Sequence, residues 1–181
     1  MCEGGNCNCV THQSSVCVDR QIYWQDSCGN REELKEDCSL NDQYCINNQC
    51  VDRFNIIGDG TVRDNVSGLL WQQAPIDQDG REWARLDGAT ASVFCNAAYG
   101  FPWMLPISRE LTGIKTGRAG ECQLFPEFQG ECSTYWGADS CFENGNFDPT
   151  RDVVVDFSDQ MQANFCDGIH WPQHYVRCVK R

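Results

Sequence analysis

Asp59-Gly60-Thr61-Val62-Arg63-Asp64-Asn65-Val66-Ser67-Gly68-Leu69-Leu70-Trp71 reads as a β-hairpin. Thr61-Val62-Arg63 is a short run of β-formers. Asp64-Asn65 with Ser67-Gly68 supplies turn chemistry, and Leu69-Leu70-Trp71 is the return strand. Working outward from this hairpin organises the rest of the chain.

On the C-terminal side a loop covers residues 74–80. Leu86, Ala89, Val93, Phe94 and Ala97 then recur at helical spacing, with Asp87 or Thr90 to cap the start, in a helix that carries Cys95 and ends by Gly100. Pro102-Trp103-Met104-Leu105-Pro106 is an extended entry to a second helix, with Ser108 as N-cap and Gly113 as its limit. Residues 117–150 show little periodicity and are expected to form long disulfide-held loops with a strand at 133–136. Val153-Val154-Val155 between Asp152 and Asp156 suggests a central strand, and residues 175–179 suggest the closing one. Two helices among several short strands imply an α+β module.

On the N-terminal side the composition changes. Residues 1–50 hold eight of the 14 cysteines and residues 51–181 hold six. Both counts are even, so each part can close its own bridges. The first part has few aliphatic residues and needs staples to fold. The second carries the phenylalanines and five of the six tryptophans, enough for one ordinary core. The expected organisation is a cysteine-rich, disulfide-stapled module over 1–50 and a ligand-binding domain over 51–181. Within the first, residues 21–24 are a strand candidate, residues 26–30 a turn, and Arg31 to Asp37 a charged helical turn. The opening Met1-to-Val10 stretch lacks the pattern of a signal peptide, and a mature fragment or a piece of a longer chain is expected.

So many cysteines fit an oxidising, extracellular or cell-surface setting, with all of them in disulfides. Zinc is the rival reading, but Cys7-Asn8-Cys9 is too tight for the usual knuckle. The formal net charge is -12. A chain this acidic, with no basic cluster, is a poor nucleic-acid binder. It favours a neutral or cationic partner, or one bridged by a divalent cation. No apolar run of about 18 residues is present to span a membrane as a helix.

The residues after Phe54 resemble a bacterial family, the C-terminal domain family of Legionella collagen-like proteins. Its opening is similar to residues 59–72. Its central Trp-Arg-Leu-Pro-Thr and Glu-Leu motif is similar to Trp103-Met104-Leu105-Pro106-Ile107 with Glu110-Leu111. Later motifs are similar to Tyr135-Trp136, to residues 155–159 and to Tyr175-Val176-Arg177-Cys178-Val179. The resemblance covers about residues 54–181 in order. It implies a C-type-lectin-like domain, two helices with short, mostly antiparallel strands, in a secreted or surface-bound bacterial adhesin or ligand-binding tip. Two positions depart from the family: its central Arg is Met104 here, and its Thr is Ile107.

The resemblance also implies a disulfide from the first helix to the last strand, Cys95–Cys178. That leaves Cys122, Cys132, Cys141 and Cys166 for the loops, and the pairs Cys122–Cys132 and Cys141–Cys166 are expected there.

Chemistry-bearing residues give little sign of catalysis. No thiol is left over for a Cys–His nucleophile. His170 and His174 have metal-ligand spacing only on a helix, which Pro172 opposes. Asp77-Gln78-Asp79-Gly80 starts like a calcium loop but lacks the distal bidentate Glu. A structural calcium therefore stays open, with no other cofactor or metal expected. Ligand binding by rings in irregular loops is the favoured reading. The candidates are Tyr135, Trp136 and Trp171, with Asp139, Asn144, Asn164, His170 and His174 for hydrogen bonds. The plainer reading of a Trp is core, and it is the one adopted for Trp71 and Trp103. The expected function is extracellular adhesion or recognition of a cell-surface ligand, a glycan before a protein receptor, and not an enzyme. The alternative is a structural subunit or cap of an extracellular fibre or complex, binding protein and not sugar, in either case with homo-oligomers open.

Overall fold

A computed structural model describes residues 8–74, 95–97, 99–116, 121–130, 132–143, 146–158, 165–168 and 175–181. The chain divides into two compact units. Unit 1 comprises Met1–Asn55 with Asp64–Gly68, and unit 2 comprises Ile56–Arg63 with Leu69–Arg181.

Unit 1 is strands and disulfides. β1 (Ser14–Val18), β2 (Gln21–Gln25) and β3 (Arg31–Asp37) form an antiparallel sheet in that order. A 3-10 turn at Cys38–Asn41 leads to the hairpin of β4 (Tyr44–Ile46) and β5 (Gln49–Val51). Asn47 and Asn48, with φ of 51° and 62°, make the two-residue connection, a left-handed pair that asparagine tolerates. Among the described residues of this unit, Ile22, Cys38 and Phe54 are the buried hydrophobics. That is too little core to hold some 50 residues, and disulfides supply the remainder; three are formed among the described residues, Cys9–Cys28, Cys17–Cys45 and Cys38–Cys50. In the chain-entropy account loops of this length each contribute about 3–4 kcal/mol.

The expected helical turn over Arg31–Asp37 is a strand instead. Its residues have no apolar stripe at helical period, and the backbone finds its partners on β2. Disulfides at Cys28 and Cys38 hold the chain on either side of it.

Unit 2 contains helix and two sheets, which makes the chain α+β. The first sheet runs in the order β6-β7-β8-β13-β9, from β6 (Phe54–Ile56), along which the chain passes from unit 1 into unit 2, β7 (Thr61–Asp64), β8 (Leu70–Gln72), β13 (Val179–Lys180) and β9 (Trp103–Met104). The hairpin read from the sequence is β7–β8, with Val62 opposite Trp71 and Arg63 opposite Leu70. Val62 and Trp71 are both fully buried. The second sheet is β10 (Thr134–Glu143), β11 (Asn146–Asp156) and β12 (Phe165–Gly168), with β11 in the centre. Val153, Val154 and Val155 are buried on successive positions, as a strand covered on both faces requires.

Two expectations need correction. Of the long loops placed over 117–150, the second half is this β10–β11 hairpin, while the described residues from 121 to 133 are irregular and stapled by Cys122–Cys132. The hairpin's ladder breaks between Trp136 and Cys141, where the register shifts twice. The closing strand is shorter than expected: Tyr175 makes an isolated parallel bridge to Tyr135, and regular pairing resumes only at Val179. Cys178 sends its N–H to the Gln72 side-chain oxygen at 2.9 Å, while its carbonyl still accepts from the Gln72 backbone N–H at 3.1 Å.

Helix α1 spans Ser108–Gly113 and buries Leu111. Ile107, not Ser108, stands at its N-cap and has no side-chain acceptor to offer. Glu110 accepts from the Ile107 N–H at 2.9 Å, and Asp139 of β10 accepts from the Ser108 N–H. Cys95, Asn96 and Ala97 are helical. The rest of the expected first helix and the Asp77–Gly80 loop lie outside the described residues.

Cys95 pairs with Cys178 and Cys122 with Cys132. The first bridge sits at the heart of a cluster with Leu105, Trp136, Val154 and Val176. Cys141 is buried and disulfide-bonded, whereas the side chain of Cys166 lies outside the described residues. No described cysteine is free. No helix among the described residues is long and apolar enough to cross a membrane.

Candidate ligand-binding cleft

The hairpin that organises unit 2 also opens a cleft of about 280 Å³. One side is the turn Asp59-Gly60-Thr61. Gly60 has φ of 83°, a left-handed backbone that turns the chain between β6 and β7. The Asp59 carboxylate accepts from the Thr61 N–H at 3.0 Å and from the Thr61 hydroxyl at 2.5 Å. That hydroxyl bond, ahead of the backbone ones, holds the Asp59 carboxyl below the usual range. Its charge therefore persists further into acid than that of a free aspartate.

The floor is backbone. Gln73 donates its N–H to the Gly60 carbonyl, and Gln129 donates its own to the Gln73 carbonyl. Beneath them lies Arg177, which is 0% exposed. One terminal nitrogen of its guanidinium donates to the Gln72 and Gln73 carbonyls, and the other to that of Gln129, all at 2.6 Å. Its guanidinium stacks on Phe128 and Tyr135, with centroid distances of 5.0 and 5.4 Å. Burial pushes its pKa down and contact with Tyr135 opposes that shift, but an arginine keeps its charge in proteins. A planar fork with several donors suits three carbonyls at once, and the rings suit its faces.

The other side is aromatic. Tyr99 is 47% exposed and Trp103 is half-buried, with ring centroids 5.7 Å apart and planes tilted by 50°. Trp103 is tied down from below by packing against the Cys95–Cys178 cluster. Between them in sequence, Phe101 is 86% exposed. The cleft is thus lined by two aromatic residues together with an ionised carboxylate, a threonine and the exposed residue Gln129.

The residues singled out from the sequence fall elsewhere. Tyr135 is 1% exposed and Trp136 8%, so neither offers a ring face to a ligand. Both are core: Tyr135 packs on Phe157 and Tyr175, and Trp136 on the disulfide cluster. Trp103, read as core, is the tryptophan that lines the cleft. Asp139 is half-buried and caps α1. Replacing it with alanine should cost about 1 kcal/mol, as a lost N-cap does, measured by denaturant unfolding. Asn144, Asn164, His170, Trp171 and His174 lie outside the described residues. Asp59, Thr61, Tyr99 and Gln129 were not singled out for binding. The available signal was the adjacency of Tyr99, Phe101 and Trp103 around Gly100 and Pro102, an aromatic cluster on turn residues.

No family model, curated protein or solved structure matches this chain.

Proposed function

We propose that this is an extracellular recognition protein whose C-type-lectin-like domain, a member of the Legionella collagen-like C-terminal family, binds a glycan in the Tyr99–Trp103 cleft. The observation that carries this reading is a ring pair lining the same cleft as fixed polar groups. A sugar presents an apolar C–H face to a ring and a rim of hydroxyls to acceptors and amides. Rings also lose little entropy when fixed in a complex. Asp59 is suited to accepting hydroxyl hydrogen bonds, since its carboxylate is ionised and oriented by Thr61. Nothing in this binding mode calls for a catalytic group. The seven-pair complement that 14 cysteines allow, with five bridges described, supports an oxidising location outside the cell.

Screening the oxidised chain on a glycan array should give a hit that Trp103→Ala weakens by about 2 kcal/mol, the scale of a binding hot spot. Trp136→Phe should leave the affinity unchanged, because that ring faces the core. An array without hits, together with capture of a protein receptor that Trp103→Ala disrupts, would favour the fibre-subunit or cap reading.

A further inference from the structure

We propose that unit 1 carries a surface site for a borderline divalent cation, zinc being the one it fits, formed by His12, Glu32 and Glu33. The donor atoms of these three side chains all lie within 4.8 Å of one another. Zinc bound tetrahedrally at about 2.0–2.2 Å from nitrogen and oxygen sets its donors roughly 3.3 Å apart, which falls inside that span.

The backbone explains why two neighbouring glutamates converge. Adjacent residues of a regular strand point to opposite faces. Here Tyr23 pairs with Leu34 and Gln25 with Arg31, so Trp24 alone stands opposite both Glu32 and Glu33. Such a bulge, two residues against one, re-aims side chains and is frequent beside functional sites. The imidazole is positioned from the same point. His12 stacks on Trp24 with ring centroids 5.0 Å apart and planes 27° off parallel. Its backbone N–H donates to Glu32 at 2.7 Å, and its Nε2 lies 2.5 Å from a Glu33 oxygen. Lys35 covers the Trp24 ring with its ammonium 4.4 Å from the centroid, which keeps that ring in place.

The chemistry selects the ion. Two carboxylates side by side repel, and a dication between them removes the repulsion. Residues 1–50 carry 8 acidic and 3 basic side chains, so the local field favours a cation. An imidazole in the donor set favours zinc, nickel or copper(II) over calcium and magnesium. Three protein ligands leave a position open for water or a partner's donor group. The site is independent of the glycan cleft, which lies in unit 2.

Calorimetric titration of zinc into the untagged, oxidised chain, with millimolar calcium present, tests this. One equivalent of zinc should bind. His12→Asn, which keeps a residue tolerant of the φ of 54° at that position, should weaken it at least about tenfold, the lower end of what even outer-shell losses cost. Glu33→Gln should do likewise, while Glu36→Gln, on the same strand but outside the cluster, should not. Near-UV circular dichroism checks that the variants keep their fold. Zinc binding as tight in both His12→Asn and Glu33→Gln as in the parent, displacement by calcium, or no binding at about 100 µM would each overturn the site.

Discussion

Replacing Cys95 and Cys178 together with alanine should lower the melting temperature by about 15 °C or more. The bridge closes a loop of sequence separation 83, for which the chain-entropy account gives about 4.5 kcal/mol. A domain of this size shifts by roughly 3–5 °C for each kcal/mol. Both sulfurs are fully buried against Leu105, Trp136 and Val154, so their removal also leaves a void that adds to the loss. The comparison is Cys122 with Cys132, at a separation of 10, where the same account gives about 2.8 kcal/mol and both residues are exposed. Differential scanning calorimetry of the two double variants should rank them clearly. Equal melting temperatures would mean that the helix-to-strand tie is not what holds unit 2 together.

Arg177→Met should destabilise unit 2 by about 2 kcal/mol, a cost set by carbonyls that lose a charged donor, although that of Gln73 keeps the Gln129 N–H. The Gln72, Gln73 and Gln129 carbonyls would each lose the guanidinium. Methionine has similar bulk and no charge, so part of the desolvation cost of burying a cation is recovered. Arg177→Lys should be little better, because a single ammonium cannot span three carbonyls or lie flat on Phe128 and Tyr135. Urea unfolding of both variants measures this. A Met variant within 0.5 kcal/mol of the parent, the range of an ordinary surface substitution, would show that the floor holds without its cation.

The β7–β8 hairpin was legible because its apolar positions alternate and its turn residues flank them, so local sequence and tertiary pairing agree. The β10–β11 hairpin was not. Gly137, Ala138 and Asp139 fall where the ladder shifts register, which breaks the alternation that a strand reading depends on. The dipeptide Asn144-Gly145, between Glu143 and its partner Asn146, was the hairpin signal that could have outweighed the missing period. The charged run at Arg31–Asp37 failed for a related reason: two bulges in β3 disguise its strand character.

The site was less legible than the fold. Trp103 and Trp136 both sit in aromatic, motif-like surroundings. What separates them is long-range: Val154, Val176 and the Cys95–Cys178 bridge close around Trp136, while Trp103 keeps a face at the cleft. A two-residue alternation over the closing strand would turn Arg177 to the face opposite Val176 and Cys178. The residues from Val176 to Val179 are all buried, so the two-residue period says nothing there about direction.

The division of labour under the cleft has a consequence for how such a protein can change. Its floor is shaped by main-chain carbonyls gathered by one buried guanidinium, and main chain is indifferent to which side chains stand on it. Tyr99 and Gln129, exposed at the rim, can therefore mutate with little penalty to folding. The chemistry of the rim could thus be edited a residue at a time, and the scaffold would register little of it.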